Sequence, residues 1–130
     1  MAAIQANITF VNKSGSTLTR QKIAELAIGC HVLRWSSARM LSDLLHGRLN
    51  PGIASSNKFF TSNLLQALSE AAVEVMGLDG LLYEQPDGPH DFGSASTGYK
   101  FLYNRCLTIA GGTSEVQRNI MAQRVLGLPR

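Results

Sequence analysis

The densest chemistry in this chain lies between Thr108 and Ile120. It holds a double glycine, Gly111-Gly112, a hydroxyl pair, Thr113-Ser114, and a carboxylate, Glu115. An apolar rhythm follows at Val116, Ile120 and Val125. That is the pattern of a loop breaking into a helix. The glycines allow backbone angles that other residues avoid. Thr113 or Ser114 can cap the helix, and Glu115 falls in its first turn, where negative charge suits the helix dipole. One reading is a well-capped terminal helix and nothing more, and local chemistry alone favours it. The sharper reading is that bare N–H groups at this helix start hold part of a ligand.

Other groups are weaker candidates. Glu74-Val75-Met76-Gly77-Leu78 ends an apolar run with a carboxylate and a glycine. Asp87 and Asp91 flank His90 in a Pro/Gly loop, and a solvated loop is a better reading of them than a metal site. His31 and His46 have no companion ligand at helical spacing. Cys30 and Cys106 are in no metal or redox spacing and fall within apolar helical patterns, so they read as buried free thiols in a reducing compartment.

These groups need elements to position them. Residues 2 to 11 alternate loosely, as a short strand or an extended lead-in, and 12 to 17 form a polar loop. From Leu18 the period changes. Ile23, Leu26, Ala27, Cys30, Leu33, Ser37, Met40, Leu41 and Leu44 fall on one helical stripe, with Gly47 and Pro51 marking its end. Gly29 inside this helix costs roughly 1 kcal/mol against Ala, and a close helix crossing would explain it. Trp35 reads as a packing or subunit contact.

A second helix is expected over Ile53 to Met76, with Phe60, Leu64, Ala67, Leu68, Ala71 and Val75 on its stripe. Phe59, Leu65, Ala72 and Val73 widen the apolar surface, so this helix should be buried on more than one side. A turn at 77–82 and a loop at Pro86-Asp87-Gly88-Pro89 lead to a shorter helix over Ser96 to Leu107. Its inner face is expected to carry Tyr99, Leu102, Tyr103 and Cys106. The last helix runs over Thr113 to Leu126. The expectation is an all-α, up-down four-helix bundle over 18–130, preceded by an extended lead-in at 1–17.

Composition narrows the function. The chain has 130 residues, of which 45% are hydrophobic and 16% charged, enough for one domain with a modest core. A net charge of +3, carried by scattered Lys and Arg, gives no case for nucleic acid. No apolar run is long enough to span a bilayer. No secretory signal is visible, so a cytoplasmic location is expected. Asn7-Ile8-Thr9 and Asn12-Lys13-Ser14 are then glycosylation triplets in form only.

The run from Thr108, ending in Arg124-Val125-Leu126-Gly127-Leu128-Pro129-Arg130, resembles the C-terminal signature of the flavin-dependent acyl-CoA dehydrogenases. Residues 18 to 130 look like the helical domain that carries it. The resemblance implies FAD as cofactor and an acyl-CoA thioester as substrate in the complete enzyme. It implies that Thr113 and Glu115 contact the flavin dinucleotide and that Gly112 lies against the acyl thioester. In the family, the stretch matching Glu74 to Leu78 often reads Gln, two apolar residues and two glycines, and reaches the FAD of a neighbouring subunit. Glu74 and Gly77 are candidate cofactor contacts on that ground. The carboxylate is unfavourable near a pyrophosphate unless a cation screens it, and an ordinary helix end at Gly77 is an equal alternative.

The family's reaction needs a carboxylate base to remove the α-proton while flavin takes the β-hydride. Many members place a Glu immediately before the Gly-Thr pair. This chain has Gly111 there, so no catalytic residue is assigned. Other members carry the base on an earlier helix. The family's N-terminal helical domain and central β domain have no counterpart in these residues. The expectation is therefore part of a dehydrogenase, inactive alone, that forms a homo- or hetero-oligomer. The alternative is a non-catalytic helical oligomerisation module or partner subunit of a complete dehydrogenase.

Overall fold

The computed structural model describes residues 17–48, 50–84 and 94–129. The expected lead-in, the glycosylation triplets and the Asp87–His90–Asp91 loop lie outside them, apart from Thr17. Four α-helices occur among the described residues: α1 (Thr17–Leu45), α2 (Pro51–Met76), α3 (Thr97–Tyr103) and α4 (Ser114–Arg124). Short 3-10 turns lie at Gly77–Leu81 and Cys106–Thr108. The four-helix, all-α architecture is the one expected.

Three of the four helices have a capping residue at their start. Asn50 caps α2 by accepting the Gly52 N–H at 2.8 Å, and Pro51 occupies the first turn, where its missing N–H costs nothing. Gly77 ends the helix at φ +61°, with its N–H bonded to the Val73 carbonyl. Ser96 caps α3 by accepting from the Tyr99 N–H, and Thr113 caps α4.

Helix α2 is the axis of the molecule. α1 packs antiparallel to it, as three contacts record: Lys22 to Glu74, Gly29 beside Leu64, and Ser36 bonded to Asn57. The crossing expected at Gly29 is present. A Cβ there would meet the Leu64 Cδ1 at 2.9 Å. The return pass is shared by α3 and α4, which follow one another along α2 rather than folding back on each other. Thr97 meets Met76, Asn104 meets Leu65, and Lys58 meets Gly112.

The core along α2 is thin and partly polar. Leu64 and Ala71 are buried on it, but so are Ser55, Asn57, Ser62 and Ser69. Ser62 and Ser69 donate to the carbonyls of Lys58 and Gln66 in their own helix, at 2.6 and 2.8 Å. Small residues that return their polar groups to the backbone let helices approach closely. An apolar stripe alone could not reveal them.

Several expected inward positions lie outward. Leu41 and Leu44 share the stripe of α1 but are exposed, because α2 begins only at Pro51 and no described residue covers that end. On α3, Leu102, Tyr103 and Cys106 are exposed. Leu102 and Tyr103 lie on the outer side of α3 itself, whose buried position is Gly98, and past Tyr103 the 3-10 turn changes the phase, so that Asn104 and Leu107 are half-buried and Cys106 is exposed. Cys106 is therefore not a buried thiol. Cys30 is half-buried, and burial raises its pKa. On α4, Val116 and Val125 are exposed, and the buried position is Gln117. Trp35 is 68% exposed with the Arg34 guanidinium over its ring, which removes it from the bundle core.

Candidate functional site

The loop from Ala110 to Glu115 enters α4 beside the N-terminal half of α2. Thr113, not Ser114, is the cap: its backbone is extended and its hydroxyl oxygen accepts the Val116 N–H at 3.4 Å. Gly111 and Gly112 take φ of +68° and +97°, a region in which L side chains are strained. At Gly112 there is a second constraint, because a Cβ would meet the Gln117 Nε2 at 2.7 Å.

Two side chains that the sequence pattern did not single out hold this loop. The Lys58 ammonium donates to the Gly112 carbonyl at 2.6 Å. The Gln117 amide, buried, donates to the Gly111 carbonyl at 2.9 Å. Both glycine carbonyls are thus committed to the bundle. Among the described residues, the N–H groups of Gly112 and Thr113 bond to nothing. Arg118 lies over the Phe59 ring at 4.8 Å and reaches Glu115 at 3.5 Å, closing one side of the loop.

Glu115 is solvent-exposed, yet its carboxyl is held below its ordinary pKa. Its own backbone N–H is the largest cause, the Thr113 hydroxyl the next, and Arg118 a smaller one. It is therefore a carboxylate and an acceptor. Gly111 is exposed, with Lys58 as its nearest neighbour, the Cε lying 3.9 Å from where a Cβ would stand. A carboxylate placed at 111 would sit beside an ammonium, which lowers a carboxyl pKa. A general base for an α-proton needs the opposite.

The other candidates lie at the far end of α2. Glu74 is exposed and pairs with Lys22 at 2.6 Å, so a cation does screen it. A Cβ on Gly77 would meet nothing within 4 Å. From Lys58 to Glu74 is roughly 24 Å of helix at about 1.5 Å per residue. One copy of the chain therefore brings Gly112, Thr113 and Glu115 together but leaves Glu74 and Gly77 apart from them. Among the described residues, no three His, Cys, Asp or Glu side chains form a metal site. His46, one residue past α1, bonds the Ser42 carbonyl, and His31 is exposed.

Comparison with known proteins agrees with this anatomy. Residues 13–126 match the family model described as acyl-CoA dehydrogenase, C-terminal domain. Over 80 residues the chain is 41% identical to the acyl-CoA dehydrogenase IpdE1 of Mycobacterium tuberculosis, a match spanning 62% of this chain and 19% of that protein. Over 93 residues it is 38% identical to the acyl-CoA dehydrogenase FadE34 of the same organism, covering 71% of this chain and 12% of the relative. It thus spans a fifth or less of the curated relatives it matches. Among solved structures, the Tcur3481-Tcur3483 steroid ACAD superposes with a TM-score of 0.81 at 18% identity, over 99% of this chain and 34% of that one. The ChsE4-ChsE5 complex from Mycobacterium tuberculosis gives 0.72 at 27% identity, over 89% of this chain and 29% of the other.

Proposed function

The chain belongs to the acyl-CoA dehydrogenase family, whose C-terminal domain it carries, and on that premise we propose that it supplies one edge of an FAD and acyl-CoA site. One observation carries the reading. Among the described residues, the N–H groups of Gly112 and Thr113 have no partner at the start of α4, on a loop whose glycines put no side chain in the way and whose carbonyls are tied to Lys58 and Gln117. Such a pair suits an anionic or carbonyl oxygen. Those donors fit a dinucleotide phosphate or the thioester oxygen. Glu115, an acceptor only, fits a hydroxyl of the dinucleotide rather than its phosphates. Glu74 and Gly77 are offered to the flavin of a neighbouring subunit, with Lys22 offsetting the Glu74 charge.

Gly112, Thr113 and Glu115 would hold one edge of FAD, which would supply the hydride acceptor for α,β-dehydrogenation of an acyl-CoA thioester. This chain's residues orient and bind; none of them is assigned the α-proton. Gly111 cannot accept it, and the base in this reading comes from outside these residues. The chain alone is therefore inactive, and it works within a homo- or hetero-oligomer in the cytoplasm.

A second reading, a non-catalytic partner subunit of a complete dehydrogenase, is favoured by Gly111 and by the two-component name of the ChsE4-ChsE5 complex. A turnover assay tests the main reading. With FAD, a panel of acyl-CoA thioesters and an electron acceptor, the chain alone should stay at background. Turnover that follows the protein through purification would contradict it.

A further inference from the structure

We infer that Lys58 and Gln117 are positioning residues that fix the orientation of two successive peptide planes, and so aim the N–H groups of Gly112 and Thr113 away from the bundle. The peptide bond is planar and trans, so the carbonyl of one residue points opposite to the N–H of the next; the described chain contains no cis peptide. Gln117 holds the Gly111 carbonyl inward at 2.9 Å, and that turns the Gly112 N–H outward. Lys58 holds the Gly112 carbonyl inward at 2.6 Å, and that turns the Thr113 N–H outward.

Without the clamps, the plane between Gly111 and Gly112 is held by no local side chain, and the plane between Gly112 and Thr113 only by the φ of -62° that Thr113 takes as the cap. Two glycines in a row have wide backbone freedom and no side chain to bias it. A flipped plane would present a carbonyl oxygen where the ligand needs a donor. The clamps differ in origin. Gln117 lies within α4 itself and is buried, so its reach to Gly111 is set as soon as the helix forms. Lys58 comes from α2, so the second plane is fixed only when α4 docks on α2. Gly112 is tied to both: a Cβ there would push on the Gln117 amide at 2.7 Å.

The purpose of this device rests on the proposed reading of the loop as a ligand edge, but its test does not. The test is the sequential Hα–HN nuclear Overhauser effect across each peptide in the labelled full chain, without flavin, since that distance changes when a plane turns over. Lys58→Met should change the effect from Gly112 Hα to the Thr113 N–H by at least roughly twofold, as the plane averages over two orientations. The sequential effects along α1 and α2 should not change. Lys58→Arg, which keeps a cationic donor, should restore the native value. Gln117→Leu should do the same to the effect from Gly111 Hα to the Gly112 N–H and leave Thr113 less affected. Gln117→Glu, which keeps the size and removes the donor, is the second variant. Should a Gln117 variant lose the helical pattern, the half-buried Lys58 decides alone. Native effects at Gly112 and Thr113 in Lys58→Met and in Gln117→Glu would overturn the inference. A positive result stands even if the chain never binds flavin, so the two claims fail separately.

Discussion

The two ends of α2 are built on opposite plans. At the N-terminal end the α4 loop is closed by the chain's own groups: Lys58 and Gln117 on the glycine carbonyls, Thr113 on the helix start, and Arg118 between Phe59 and Glu115. At the C-terminal end Glu74 has one surface ion pair, Gly77 has open space around it, and Leu78, Leu81, Leu82 and Tyr83 are exposed, Leu78 to 85%. One end is finished within a single copy. The other presents apolar surface and a screened carboxylate outward. The difference teaches that closeness in sequence to a ligand motif is not the same as completeness. In the proposed reading the first end takes a ligand and the second takes another protein surface.

Breaking the finished end should cost the most. Gln117→Leu removes a buried donor and strands the Gly111 carbonyl, so chemical denaturation should show a loss of about 1–3 kcal/mol. Gly111→Glu forces a left-handed backbone on a residue with a Cβ, for a loss of roughly 1–2 kcal/mol by the same measurement. At the open end Glu74→Gln breaks only an exposed pair and should cost under about 1 kcal/mol. A larger loss there than at Gln117 would reverse the comparison.

The open end should instead govern association. Apolar patches of this kind mark interaction sites, so the chain is expected to run as a dimer, a tetramer or larger. Leu78→Lys with Leu82→Lys should shift light scattering towards monomer while leaving the helical circular dichroism intact. An unchanged mass would move the association surface elsewhere.

The smallest effect concerns pH. The Glu115 carboxyl is held below its ordinary range of about 4.3, first by its own N–H and then by Thr113. A folded pKa below the unfolded one gives stability above the unfolded value, lost as pH falls through the folded value. An NMR titration should place the Glu115 midpoint below that of an unfolded peptide. Thr113→Ala should raise it.

The elements were legible because their signals are local. The α1 stripe from Ile23 to Met40, the Gly29 crossing, the breadth of α2 and the Thr113 cap all follow from period and cap chemistry in short windows. On α3 the inner face is set by Gly98, packed against the Leu81 and Leu82 carbonyls with no apolar side chain to signal it, and past Tyr103 a 3-10 turn shifts the phase of Cys106. Val116 was expected to follow the apolar rhythm of α4 inward, yet it lies out and Gln117 lies in. The α4 N-terminus turns its capped face towards α2, and Gln117 finds the carbonyl it needs there. Lys58 could not be found from sequence at all. It meets Gly112 only through the antiparallel return of the chain, and no pattern in either segment names the other.

In the proposed function the Gly112–Glu115 edge belongs to a flavin dinucleotide site. The most direct measurement is an FAD titration of the labelled chain, followed by amide chemical shifts. The account predicts that Gly112, Thr113 and Glu115 move first and saturably, with Lys58→Met weakening the response. Shifts that stay at their starting values, or that gather at the exposed end of α2 and spare Gly112 to Glu115, would contradict it.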